Sequence, residues 1–506
     1  MAEENVRGLS VNSRSKDAVL NMFFPSKTDF IKLSKKGNLV PVYTEIVADM
    51  ETPVSAFQKV EGEYSYLLES VEGGEKLARY SFIGSDPILI ITGKGKNVEI
   101  RSKGNIKKLK GDPLAELKKV LSGYKPVRIE GLPRFHGGLV GYMSYDIVRN
   151  IEKIPETAKD DLKLPDMQFL LTDTILVFDH VKHKILIISN VPIEGDPERA
   201  YATAIKKINA LALKLSKPMK SPGMELKEGG NIKISSNYTR PEFESIVKKA
   251  VQYVKGGDVI QVVPSQRFTT TIKSAPFDIY RVLRTLNPSP YMYYLKFKGM
   301  ELVGSSPETM VRLENNTANI RPIAGTKKRG ADAAEDAALE KELLSDEKEK
   351  AEHIMLVDLA RNDLGRVCEY DSIRINELMS VEKYSHVMHI VSDVTGTLKS
   401  GMDGFDLIRA SFPAGTVTGA PKVRAMEIIE ELEKVRRGPY AGAVGYFDFY
   451  GNLDTCITIR TILIKGKKAY VQAGMGVVAD SIPSSEYEES VNKAKALLKA
   501  IELAEK

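Results

Sequence analysis

The chain has 506 residues, 42% hydrophobic and 28% charged, enough apolar material for two or more packed cores and against disorder as a default. Its 73 basic residues outnumber 67 acidic ones by a net charge of only +6, with no concentrated basic face, which argues against a nucleic-acid partner. Two cysteines, Cys368 and Cys456, lack metal-ligand spacing, which excludes a disulfide framework and a Cys-based zinc site and fits a reducing compartment.

Residues 1 to about 25 are polar, without the apolar stretch of a signal peptide, and no run of ~18 apolar residues occurs later, so a cytoplasmic protein with no membrane partner is expected. Alternating apolar positions then predict strands at Ser65–Leu68, Ile88–Thr92, Gly137–Tyr142, Thr174–Phe178 and Lys184–Ile188. Helical spacing covers Pro113–Ser122 and Ala200–Leu215. The densest basic run, Lys103 to Lys110, reads as a solvated hairpin or helix edge. Residues 216–234 collect Pro, Gly, Ser and Lys and form a linker, dividing an N-terminal part, 22–215, from a C-terminal part, 235–505.

The C-terminal part opens with Thr239 as an N-cap, Pro241 in the first turn and Glu242 at capping-box spacing, predicting a helix to Lys255. Strands follow at Val259–Val263, Tyr291–Phe297, Glu301–Gly304, Thr309–Leu313, Ala441–Phe449, Thr455–Leu463 and Ala469–Ala473, with long helices over Asp332–Leu364 and Glu486–Leu503. Strand runs broken by helices without βαβ alternation predict an α+β fold with large antiparallel sheets.

Several residue groups bear on chemistry. Glu349 and Glu352, and again Glu486 and Glu489, lie three apart on helices, each pair on one face; together they suit a hard divalent cation, and each alone suits a solvated surface. The Phe412–Lys422 loop, rich in Gly and Thr and leading into a helix at Pro421, has the makings of an anion cradle. Gly474 and Gly476 free backbone to approach a ligand. Arg460 interrupts an apolar strand, so it needs an anion, from a ligand or from a structural ion pair. His389 sits between apolar residues, as a satisfied core histidine or a functional one. Glu308 follows a strand and Pro307, as a general acid raised by burial or as a turn carboxylate. In Pro322–Thr326 the central Ala324 offers no nucleophile.

Gly257–Arg267, Pro322–Thr326, Glu352–His353 with Val357–Asp363, the Phe412–Lys422 loop and Asp454–Arg460 occur in one order. Read together, they resemble the chorismate-utilising enzymes, and among these the large subunits (component I) of anthranilate synthase, over about Met22 to Lys499. The resemblance implies two large, mostly antiparallel sheets packed as a sandwich with helices outside. It implies a lyase of tryptophan biosynthesis that converts chorismate and ammonia to anthranilate and pyruvate through aminodeoxyisochorismate, under feedback inhibition by tryptophan.

By position, it implies that Glu349, Glu352, Glu486 and Glu489 hold Mg²⁺, that Glu308 is the general acid and His389 serves pyruvate loss, and that Gly325 and Thr326 form the ring-side loop. Thr416, Tyr440, Arg460, Gly474, Gly476 and Lys493 would line the chorismate pocket. Glu69 and Ser70 with Pro290, Tyr291 and Met292 would bind the inhibitor L-tryptophan, giving the N-terminal part its regulatory character. Relatives that add water carry lysine where Gln261 stands, and aminodeoxychorismate synthases typically carry lysine at the Ala324 position; a neutral amide and a methyl group leave ammonia as the nucleophile. Ammonia would come from a separate glutamine amidotransferase subunit (component II) in a heterotetramer. The alternatives are an aminodeoxychorismate synthase component I and, in another class, a non-catalytic tryptophan sensor or amidotransferase scaffold.

Overall fold

A computed structural model describes residues 22–70, 79–219, 232–384 and 387–505. Two large antiparallel sheets form its centre, consistent with the α+β expectation. The first orders Val42–Val47, Lys184–Ser189, Thr174–Asp179, Tyr80–Ser85, Ser65–Glu69, Tyr291–Phe297, Met300–Ser306, Thr461–Lys465, Lys468–Gly474, Ser265–Thr271 and Ser235–Ser236. The second runs Ile323–Lys328, Val387–Thr397, Thr317–Ile320, Thr309–Glu314, Leu453–Ile457, Ala443–Asp448, Gly138–Met143, Met167–Thr172, Leu89–Lys94, Asn97–Ser102 and Asn105–Lys110, with Arg374–Lys383 also beside Val387–Thr397. Both sequence parts supply strands to both sheets, so the two parts share their cores. Most of the linker, 220–231, lies outside the described residues.

Strand alternation builds the layers. One face of the first sheet (Tyr66, Ile175, Val177, Leu295, Leu302) meets one face of the second (Val140, Tyr142, Leu170, Val444, Tyr446) in a shared core. The opposite faces are covered by helices: Pro197–Leu215, Pro276–Leu286 and Pro483–Ala504 on the first sheet, Pro113–Ser122, Glu347–Gly365 and Gly404–Ser411 on the second. The basic run at Asn105–Lys110 is an exposed hairpin strand at a sheet edge. Among the described residues no helix is long and apolar enough to cross a membrane.

Local chemistry sets most boundaries. Thr239 and Glu242 close the expected capping box, with Thr239 N–H donating to Glu242 at 2.7 Å, and the helix ends at Lys255. Three expectations need correction. The helix expected over Asp332–Leu364 is two, Ala333–Ser345 and Glu347–Gly365, because Asp346 leaves helical geometry and its carboxylate caps the N–H groups of Lys348 and Glu349 at 3.0 and 3.2 Å. The strand expected over Thr455–Leu463 is also two, Leu453–Ile457 in the second sheet and Thr461–Lys465 in the first, with Arg460 at φ 49° in the corner between them. Of Val259–Val263, only Gln261–Val262 pairs, with Gly419–Ala420.

Candidate active site

Two neighbouring corners, each carrying the chain from one sheet to the other, set out the charges of the site. Glu308 lies between Met300–Ser306 and Thr309–Glu314, and Arg460 lies in the corner just described. Backbone hydrogen bonds tie the corners together: Ile457 N–H donates to Glu308 O at 3.0 Å, and Ser305 N–H donates to Arg460 O at 3.0 Å. Both side chains line a cavity of about 370 Å³, together with Ala324, Thr326, His389, Thr416, Tyr440, Gly474, Gly476 and Lys493.

The electrostatics are lopsided. Burial raises the Glu308 carboxyl above its ordinary value, against the opposing effects of a 3.0 Å hydrogen bond from Thr416 Oγ1 and of Lys493 and Arg460. A carboxyl so placed retains its proton further up the pH scale. Arg460 donates to the carbonyl of Lys493 and has no carboxylate within ion-pair distance among the described residues; burial pulls its guanidinium down, while Glu308 pulls it up. Lys493 is shared between Glu489, 2.7 Å away, and Gly474 O at 3.2 Å. A largely covered cation lacking its own carboxylate draws an anion. The structural ion pair, one of the two readings of Arg460, is not formed among the described residues.

His389 stands in Val387–Thr397, opposite Thr326 of Ile323–Lys328. The register shifts between Ala324 and Thr326, and Gly325 at φ 66° makes the bulge, a conformation glycine adopts without a Cβ clash. The bulge brings Gly325 O to 2.9 Å from His389 Nδ1, and Thr326 Oγ1 lies 3.1 Å from the same nitrogen. A carbonyl only accepts, so Nδ1 carries the proton and Nε2 is left as the basic nitrogen. Burial lowers the imidazole below its usual value and favours this neutral form.

Tyr440 is fixed from behind. Arg437, itself buried, lies 5.6 Å above the Tyr440 ring, pairs with Glu433 at 2.6 Å and donates to Val417 O at 2.7 Å and Val263 O at 2.5 Å. This bracket escaped the sequence reading because Arg436-Arg437 resembles a solvated helix end. Asn287 and Ser289, from the stretch read as part of the inhibitor site, and Gln472, from the glycine cluster, also line the cavity, as does Tyr384, which nothing in the sequence marked. A Cβ on Gly474 would fall 2.7 Å from Pro264 O and 2.8 Å from Tyr440 Oη. Gly474→Ala is expected to displace Tyr440 and raise KM for the cavity's ligand about tenfold, read by steady-state kinetics.

The Phe412–Lys422 loop contributes less than expected. Only Thr416 and Val417 reach the cavity, while Lys422 at the following helix pairs with Asp363 at 2.8 Å and donates to Ser411 O. The four glutamates lie outside the cavity lining, and among the described residues they do not converge into a ready cluster of metal-ligating groups. Glu352 accepts from Gln261 Nε2 at 3.0 Å and Glu489 pairs with Lys493. Glu349 and Glu486 are both raised, first by burial and then by a like charge, Glu352 and Glu489 respectively, with a Ser481 hydrogen bond opposing at Glu486. Glu486 Oε2 is buried without a hydrogen-bond partner. Half-buried carboxylates short of partners fit a hard cation.

A second cavity, about 1180 Å³, gathers Glu69, Ser70, Pro290, Tyr291 and Met292. Pairing of Ser65–Glu69 with Tyr291–Phe297 places Met292 opposite Glu69. The Glu69 carboxylate is already held, by Arg284 at 2.9 and 3.1 Å and by the Tyr280 hydroxyl at 2.5 Å.

The profile of the chorismate binding enzyme family matches residues 63–499. The chain belongs to that family. It is 50% identical over 490 residues to anthranilate synthase component 1 of Acetivibrio thermocellus, covering 96% of this chain and 99% of the relative. It is also 50% identical over 482 residues to the Aquifex aeolicus protein of the same name, covering 94% and 97%. The crystal structure of anthranilate synthase component I from Streptococcus pneumoniae superposes with a TM-score of 0.77 at 37% identity, covering 89% of this chain and 98% of that one. The two-sheet architecture of this chorismate-binding enzyme agrees with that likeness.

Proposed function

We propose that the chain converts chorismate and ammonia to anthranilate, pyruvate and water. The observation that carries the reading is the largely covered Arg460 guanidinium, without a carboxylate at ion-pair distance among the described residues, sharing one cavity with a raised Glu308 carboxyl. A dicarboxylate with a leaving hydroxyl meets both needs. Arg460, with Tyr440 and Lys493 beside it, binds a substrate carboxylate. Ammonia attacks C2 as the C4 hydroxyl departs, and Glu308 gives that oxygen its proton, releasing water and aminodeoxyisochorismate. His389 Nε2 then takes the C2 proton, the C3–O ether bond breaks to release enolpyruvate, which takes up a proton at its methylene carbon to become pyruvate, and the ring becomes aromatic.

Glu349, Glu352, Glu486 and Glu489 would hold Mg²⁺, which when bound supplies positive charge against the ring carboxylate. Gln261, committed to Glu352, has no basic atom with which to activate water. The second cavity is the proposed tryptophan site, and a glutamine amidotransferase subunit the proposed ammonia source.

Incubating the purified chain with chorismate, Mg²⁺ and an ammonium salt at alkaline pH is expected to generate anthranilate fluorescence, and added tryptophan to suppress it. Accumulation of 4-amino-4-deoxychorismate alone would favour the aminodeoxychorismate synthase reading. Absence of turnover with retained tryptophan binding would favour the non-catalytic one.

A further inference from the structure

The two cavities share a wall made of Pro290, Pro307, Ile323 and Tyr384. Tyr384 is the aromatic member of that wall, and its ring lies 5.7 Å from the His389 imidazole, inclined at 62°. An edge-on contact of this kind is directional, because the positive edge of one ring faces the negative face of the other.

Tyr384 is itself held at several points. Its hydroxyl donates to Glu382 Oε2 at 2.8 Å, and Glu382 Oε1 accepts from Arg321 at 2.5 Å. Its carbonyl accepts from Arg329 Nη1 at 2.6 Å, and its N–H donates to Val387 O at 2.8 Å. The register of Arg374–Lys383 against Val387–Thr397 sets Glu382 opposite His389, which keeps the anchor beside the ring it serves.

The hydrogen bond from His389 Nδ1 to Gly325 O fixes the tautomer and one point of the imidazole. Thr326 Oγ1 lies against the same nitrogen, so both polar contacts act on one edge of the ring, and the tilt of the Nε2 edge is set by what packs against it. We propose that Tyr384 is a positioning residue for His389: its ring, edge-on to the imidazole and carried by a backbone held at its carbonyl and N–H, sets the plane of the imidazole and so directs Nε2 at the proton removed in the elimination. The inference rests on the proposed role of His389 in that step.

The test uses the full chain with Tyr384→Leu and Tyr384→Phe. The Leu variant is expected to lose at least thirtyfold in kcat with KM for chorismate within threefold of the parent, and to accumulate the aminated intermediate. The Phe variant keeps the ring and is expected to recover kcat to within fivefold. Tyr384→Met, which fills the volume without a ring, repeats the Leu result if the Leu variant folds poorly. The chain has six histidines, so the His389 Cε1–H resonance can be assigned with a His389→Gln control. Loss of the Tyr384 ring current shifts that resonance by itself, so placement is read from its nuclear Overhauser contacts, which are expected to change in the Leu and Met variants and to stay parental in Phe. Parental kcat and parental contacts in Leu and Met would overturn the proposal, as would a Phe variant that falls as far as Leu. The contacts judge ring placement even in a parent that forms no anthranilate, an outcome that would count against the proposed function instead.

Discussion

Glu308→Gln is expected to lower kcat for anthranilate formation by about 10²- to 10⁴-fold, the range for removing a general acid, while chorismate binding measured by calorimetry stays close to the parent. Glutamine keeps the size and the hydrogen bond with Thr416 and loses only the transferable proton. The pH dependence has a definite sign. Burial raises the Glu308 carboxyl, so its acid form persists above the ordinary carboxylate range and is lost as pH climbs through the raised value. With the rate expressed per free ammonia, kcat should therefore fall on the alkaline side in the parent, and that limb should vanish from the residual activity of the variant. Stability should move the opposite way. A carboxyl raised in the folded state costs stability once pH exceeds its unfolded value, so the Tm advantage of the glutamine variant grows up to the raised value and then levels off. A large loss of Tm in the variant would point to a structural role for Glu308 instead.

Glu486→Gln is the second large effect. Its carboxylate has an oxygen buried without a partner, is raised by burial, and feels the like charge of Glu489. In the absence of Mg²⁺ these terms oppose folding above the unfolded-state carboxyl value, so the neutral variant should melt higher than the parent in chelator. With Mg²⁺ the order should reverse, because the parent gains binding free energy that the variant has lost. Titration calorimetry should show Mg²⁺ affinity falling by at least tenfold, and turnover at low Mg²⁺ should fall with it. A variant with parental Mg²⁺ affinity would remove Glu486 from the metal site.

Much of the architecture was legible because strand alternation and capping chemistry are local. Tyr291–Phe297, Pro113–Ser122 and the Thr239–Glu242 capping box stand where the sequence places them. The errors occur where long-range pairing overrides a local pattern. Cys456 to Leu463 has the β-branched content of one unbroken strand, with no Gly or Pro to mark a turn, and yet Arg460 adopts φ 49° so that the chain changes sheet. That corner is also what brings the Arg460 guanidinium to Glu308, so the feature hidden from periodicity is the one that builds the site. Asp346 was readable in principle, as a capping residue two and three positions before the N–H groups it accepts.

The site divides in the same way. Glu308, His389, Arg460 and Thr416 were named from motifs that resemble a family, and the structure gathers them in one cavity. The bracket behind Tyr440 depends on the bond from Arg437 to Val263 O, 174 residues away, and the Tyr384 ring meets His389 through the pairing of Arg374–Lys383 with Val387–Thr397, and no motif records either contact. The four glutamates were legible as helix-face pairs, and Lys493 stands at i,i+4 spacing from Glu489, whereas Gln261, 91 residues from Glu352, was not legible as its partner.

On the proposed reading, the cavity adds free ammonia to C2 of chorismate and then expels pyruvate. Turnover of chorismate with ¹⁵N-labelled ammonium, Mg²⁺ and the purified chain, followed by mass spectrometry of the products, is expected to give one ¹⁵N-anthranilate and one pyruvate for each chorismate consumed. Isochorismate, or ¹⁵N-labelled 4-amino-4-deoxychorismate with no pyruvate released, would overturn that reading.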